Sequence, residues 1–304
     1  MDINLAPLRY RNILLIHGGP LDKIAVTDIG TPEHPQYEAV AFLSPSHVPA
    51  WHRNSPLYNT GHGGGTHRLR NVACHIAISE AMERWAFLQT VHGPLAGRYG
   101  FDVEPSTSGM AAFPGLTTET ARIRADWEAV ERWALLEWWN GKLSATLTPG
   151  SSRTDGTLLL SLSAKDRRAV ILWSTLQGGN TAYGFAAADS TETAIKKARI
   201  EQARNVVVLN RFFEGHRPVE EFIADEDLPV YDRRLVFFST PAGKQVFWEN
   251  VGASTATIIN HPGAQKIIDS EIPGPWSRYA AVWRTLYVQG SAHLDKSRRD
   301  IFLF

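Results

Sequence analysis

The chain has 304 residues, with 31 Lys and Arg against 31 Asp and Glu, 43% hydrophobic residues, one Cys and ten Trp. The balanced charge excludes a global field that would draw the protein onto nucleic acid or an anionic membrane, and the composition excludes a disordered or fibrous chain. A lone cysteine, Cys74, closes no internal disulfide and builds no Cys-based zinc site, which points to a reducing compartment.

The N-terminal residues carry no secretory pattern, and no apolar run approaches the roughly 20 residues of a membrane span, so a soluble cytoplasmic protein is expected. Short β-type runs come first, at 13–16, 24–26 and 39–43, separated by Gly-Pro and Thr-Pro breaks. A loop rich in His, Pro and Gly follows and ends in Gly61 to His67. Residues 71–89 predict a helix, with Val72, Ile76, Met82 and Phe87 among its apolar positions. After a second loop over about 93–115, the clearest helix starts near Thr117, carries Glu119 in its first turn and runs to Trp139, where Asn140-Gly141 stops it. Ile123, Trp127, Val130, Ala134 and Trp138 predict one buried stripe along it. Strands are expected at 157–163 and 169–175 around a turn at 164–167, and a third at 181–187. Asp189 to Glu192 reads as a capping box that opens a helix to about Phe212. Residues 235–238, 245–248 and 286–288 read as further strands. The sum is an α+β fold in a single domain over 1–304.

Two of these helices repeat one pattern. Glu80 to Ala86 and Glu128 to Ala134 both read Glu-Ala-x-Glu-Arg-Trp-Ala. Glu80 and Glu83, like Glu128 and Glu131, stand one turn apart on one helix face, where like charges repel. Paired hard oxygen ligands suit Mg²⁺, which keeps waters and shares substrate phosphates. Arg84 and Arg132 follow, and a guanidinium fixes a carboxylate or holds a phosphate bidentately. A single Glu-x-x-Glu-Arg reads as a solvated face; its recurrence beside Trp and Ala argues for a site. The third helix sets Glu201 and Arg204 one turn apart. Gly61 to Gly65 reads as a flexible turn before it reads as a phosphate cradle, because no Gly-Lys-Ser/Thr follows. His62 and His67 read as solvated loop histidines, Cys74 as a structural thiol, and His293-Leu294-Asp295 as a surface feature or local hydrogen bond. Trp85, Trp127, Trp133, Trp138 and Trp139 are expected to build the walls that hold the carboxylates.

This layout resembles that of YcaO-domain proteins. Ala77 to Arg84 is similar to the family's Ala-x-x-Glu-Ala-x-Glu-Arg helix, and Glu128 to Trp139 to its Glu-x-x-Glu-Arg helix with a Trp-rich end. Ala198 to Arg204, after Thr181-Ala182-Tyr183-Gly184, is similar to the third motif. The resemblance covers roughly 61–212. It implies β-sheets packed with three long helices that line a nucleotide site. It also implies ATP and Mg²⁺ as cofactors, and activation of a peptide-backbone amide oxygen so that a side chain, sulfide or an amine adds to the amide carbon. The products of that chemistry are azolines, thioamides and amidines. Glu80, Glu83, Glu128, Glu131 and Glu201 are implied as metal ligands, and Arg84, Arg132 and Arg204 complete the nucleotide site. The implied substrate is a ribosomally made precursor peptide. A peptide-clasp or TfuA-like protein is the implied partner, a homodimer is compatible with it, and nucleic acid and membrane are not involved. The chain departs from the family at Ile76, where many members have Ser, and at Arg204, where the third motif has Gln. It ends Asp300 to Phe304 without a Pro-rich tail, which weighs against azoline formation by the usual route. The alternative is a catalytically degenerate scaffold that presents a peptide to another enzyme.

Overall fold

The computed structural model describes residues 2–29, 36–52, 56–57, 62–162, 167–215, 218–255, 263–288, 291–295 and 297–302. In chain order the elements begin with helix α1 (Ala6–Arg9), strands β1 (Leu21–Asp28), β2 (Tyr37–Leu43) and β3 (Gly63–His67), helix α2 (Arg70–Thr90), strand β4 (Met110–Phe113) and helix α3 (Glu119–Trp139). Strands β5 (Ala145–Leu147), β6 (Asp155–Leu160), β7 (Arg168–Thr175) and β8 (Thr181–Ala188) come next. Helices α4 (Thr191–Glu214), α5 (Val219–Ala224), α6 (Val230–Ser239) and α7 (Pro241–Thr255) lead to strands β9 (Lys266–Glu271) and β10 (Ala281–Tyr287). The fold is mixed α+β, with sheets of order β1-β2-β3, β4-β10-β9 and β5-β6-β7-β8. Contacts divide the chain into two compact units: residues 1–54, 59–129 and 266–286 in one, and 55–58, 130–265 and 287–304 in the other. Among the described residues no helix is long and apolar enough to cross a membrane.

In the first unit, β2 alternates as a half-buried strand should, with Ala39, Ala41 and Leu43 turned into the core. Helix α2 lies on the same sheet through Ala73, Ala77 and Ala81, small residues at four-residue spacing on one face. Strand β3 meets it with glycines. A Cβ at Gly63 would collide with the Ala77 carbonyl and the Ala81 nitrogen, and one at Gly65 with the Ala73 carbonyl and the Ala77 nitrogen. The glycine run is therefore a strand, not the loop its composition suggests. Glycine is needed there for close backbone approach. Gly61, where that run begins, lies outside the described residues.

His62 enters β3 buried, and its Nδ1 accepts the Leu43 N–H at 3.1 Å. Burial, helped by neighbouring His52 and Arg84, pushes its pKa down to about 4. Protonation would both charge a buried ring and remove that acceptor. The folded pKa lies below the unfolded value of about 6.5, so this contribution to stability is complete above about pH 6.5 and is lost as pH falls through 4. We expect the urea midpoint to fall across this window. His62→Asn keeps an acceptor but does not titrate, and should show a shallower fall; equal slopes for the two proteins would contradict the assignment.

In the second unit, β5 to β8 form an antiparallel meander, and β8 is buried along its whole length. Helix α4 packs on it through Ala194 and Ala198, against Val170, Leu172, Ala186 and Ala188. The device of the first unit recurs: a Cβ at Gly184 would collide with the Ala198 carbonyl and the Gln202 nitrogen. Trp138, Tyr183, Phe185, Phe238 and Phe247 converge on Phe302, with ring centroids 5.0–6.3 Å away, and Trp139 stacks on it at 5.7 Å. Arg234, also fully buried, ties down the segment beside it by donating to the carbonyls of His293, Asp295 and Arg298. The His293-Leu294-Asp295 motif thus contributes backbone acceptors.

Several expected elements change type. Residues 235–238 and 245–248 belong to helices α6 and α7, whose first turns are set by Pro229 and Pro241. Residues 13–16 make only an isolated bridge at Leu14 and a short 3₁₀ turn at Leu15–His17. Met110 to Phe113, placed in a loop, is strand β4. The stripe on α3 is buried from Val130 onward, but Ile123 is 47% exposed. The cap of α4 is Ser190, whose Oγ accepts the Thr193 N–H, in place of Asp189. Of the turn expected at 164–167, only Arg167 lies within the described residues.

Candidate functional site

Helix α2 carries Glu80, Glu83 and Arg84, all partly buried. Because α2 sits so close to β3, the Glu80 carboxylate reaches the strand backbone: its Oε2 accepts the Gly64 N–H at 2.9 Å. Among the described residues Glu83 accepts no such backbone hydrogen bond. Burial raises its pKa well above the ordinary carboxylate range, the Glu128 and Glu80 charges raise it further, and Arg84 and Arg284 pull it back only in part. The first unit thus brings together Glu80, Glu83, Arg84 and, from α3, Glu128.

Arg284 is the member that sequence reading missed. It is fully buried on β10, paired opposite Met110, and its guanidinium lies 4.0 Å from the Phe101 ring centre. It donates to the Ser106 carbonyl at 2.7 Å and to the Glu104 carbonyl at 2.6 Å, while its buried Nε makes no hydrogen bond among the described residues. Burial lowers its pKa to about 10, and Glu104, Glu128 and Glu83 oppose that shift. A signal for it existed. Val282, Arg284 and Leu286 alternate on the buried face of one strand, and a cation at such a position needs a reason.

The second unit holds Glu131, Arg132, Glu201 and Arg204. Glu201 repeats the posture of Glu80: its Oε2 accepts the Phe185 N–H at 3.1 Å, again from the residue 16 positions earlier. Burial pushes its carboxyl up to about 7, against the opposing pull of Arg132, the Phe185 N–H and Arg204. The Arg132 guanidinium lies 5.7 Å from the Phe185 ring centre. The structural counterpart of α2 is therefore α4, each a helix tied by a glutamate to a glycine-bearing strand.

The remaining candidates have structural partners. His67 Nδ1 accepts the Leu69 N–H at 2.9 Å, as His62 does for Leu43. Cys74 packs against the first unit's core, and burial raises its thiol pKa, as expected of a structural cysteine. Among the described residues, no three His, Cys, Asp or Glu side chains are grouped so as to hold a metal ion by themselves. No protein-family model matches the chain, and no curated protein matches it.

Proposed function

We propose that this chain is an ATP- and Mg²⁺-dependent enzyme of the YcaO type that activates a peptide-backbone amide during maturation of a ribosomally made peptide. The observation that carries this reading is the crowding of Glu80, Glu83 and Glu128 beside two arginines, with Glu83 held above its ordinary pKa by burial and by like charge. Such a cluster is unfavourable until a cation neutralises it, and perturbed groups of this kind gather at functional sites. The donor set fits Mg²⁺, a hard cation usually held by one or two carboxylates with water and phosphate as its other ligands. One or two of Glu80, Glu83 and Glu128 would hold it, with water and phosphate oxygens completing its shell. Bound Mg-ATP would supply the phosphoryl group that turns an amide oxygen into a leaving group. The chain's own part is positioning and charge: Arg84 is the donor for phosphate oxygens, and buried Arg284 sets the field at Glu83 and Glu128. The backbone N–H of Gly64 fixes Glu80, so that carboxylate needs no reorganisation on binding.

The protein acts on a precursor peptide in the cytoplasm, with a peptide-clasp or TfuA-like protein delivering it. Isothermal titration with ATP and Mg²⁺ tests the reading. Saturable binding to the wild type, weakened at least tenfold in Glu80→Gln and Glu128→Gln, is expected. No binding to the wild type, or equal binding to the variants, would sink it. Binding without turnover in the presence of the cognate peptide would identify the scaffold instead.

A further inference from the structure

A cleft of about 570 Å³ opens in the second unit, lined by Arg153, Gly179, Pro241, Lys244, Gln245, Trp248 and Glu249. None of the carboxylates or arginines of the candidate site lines it. We infer that this cleft is a binding site for the oxyanion group, carboxylate or phosphate, of a small ligand, with Arg153 and Lys244 as its donors and the Trp248 indole as its wall.

Two cations face one space here, and among the described residues neither is in an ion pair. Each is held in place. The Lys244 Nζ donates to Thr175 Oγ1 at 3.0 Å, at the end of β7. Arg153 lies over the Trp248 ring, 5.7 Å from its centre, and Trp248 meets the buried Trp173 edge-on at 5.3 Å. Trp173 in turn donates its indole N–H to the Ser152 carbonyl at 2.9 Å, which pins the loop that presents Arg153. Donors fixed in this way lose little freedom when an anion arrives. The first turn of α7 adds to the field. Pro241 opens that helix at the cleft, so its positive end lies there beside Lys244. Burial and the neighbouring Arg153 charge both lower the pKa of Lys244, a cost that an anion would relieve. Two features set the shape of the site. Gly179 has φ +87°, and a Cβ there would meet nothing within 4 Å, so the hairpin tip leaves the mouth open. Glu249 accepts from Gln245 at 3.0 Å and so stays beside the cations without pairing with them. It limits the net positive charge and disfavours bulky polyanions.

The test titrates the whole protein with inorganic phosphate and, separately, with acetate, at constant ionic strength set with chloride. The indole N–H resonance of Trp248, assigned with Trp248→Phe, reports binding. A saturable shift is expected, weakened about tenfold by Lys244→Met and by Arg153→Gln, restored in part by Lys244→Arg and strengthened by Glu249→Gln. Saturation by phosphate alone identifies a phosphorylated ligand, and by acetate alone a carboxylate ligand; saturation by both leaves the oxyanion as the recognised group. No saturable shift with either anion, or shifts unchanged in both Lys244→Met and Arg153→Gln, would overturn the inference. Glu83→Gln should leave this titration unchanged, which separates its outcome from that of the ATP reading.

Discussion

Gly63→Ala and Gly184→Ala should each destabilise the protein by about 3 kcal/mol or more, the upper end of what overpacking costs. At both positions a single added methyl meets backbone on the facing helix, Ala77 and Ala81 in the first unit, Ala198 and Gln202 in the second. Backbone cannot swing away as a flexible side chain does, so helix and strand must separate. Separation also stretches the Gly64–Glu80 and Phe185–Glu201 hydrogen bonds, which span those same contacts. Gly252→Ala is the control. It lies on α7 with nothing within 4 Å of an added Cβ, and should be neutral or stabilising by up to about 1 kcal/mol. Chemical denaturation of the three variants checks this. Losses at Gly63 and Gly184 no larger than the change at Gly252 would show that the close approach is not a constraint.

Glu83→Gln should do the reverse to stability and harm function. Burial, Glu128 and Glu80 all disfavour the Glu83 carboxylate. A carboxyl raised in the folded state binds its proton there more tightly than in the unfolded chain, so stability falls as pH rises above the unfolded value of about 4.3. Replacing it with the neutral isostere removes that loss, and we expect the metal-free protein to gain on the order of 1 kcal/mol at neutral pH. If the carboxylates serve Mg²⁺ and ATP, the same variant should lose the thermal stabilisation that Mg-ATP gives the wild type. A variant less stable than wild type at neutral pH would overturn the electrostatic account. One that still responds fully to Mg-ATP would overturn the role of Glu83 in binding.

Much of the fold was legible in sequence where one local signal dominated. The periodic helices α2, α3 and α4 and strands β7 and β8 lie within a few residues of their expected bounds. Misreadings occurred where apolar composition outweighed chain punctuation. The aromatic and branched runs at 235–238 and 245–248 suggest strands, yet Pro229 and Pro241 stand where helices begin, and the helices follow the prolines. The glycines of β3 were misread because glycine marks both turns and close approach, and only the facing alanines of α2 decide between them. Within the site, the pairing of Glu80 with Glu83 was visible as spacing. Arg284 was not, because its link to Glu104 spans 180 residues and no local window contains both.

That long link bears on the order in which the molecule is assembled. Strand β4 pairs with β10, and the stretch between them includes most of the second unit. Contacts of such sequence separation form late, because a long loop must close before any of them is rewarded. During synthesis β4 therefore waits as an unpaired edge, a surface prone to wrong association, until residues 281–284 leave the ribosome. Arg284 arrives with that strand. The acidic cluster is the part of the first unit finished last, and a chain stopped before residue 284 would leave Glu83 and Glu128 without one of their counter-charges.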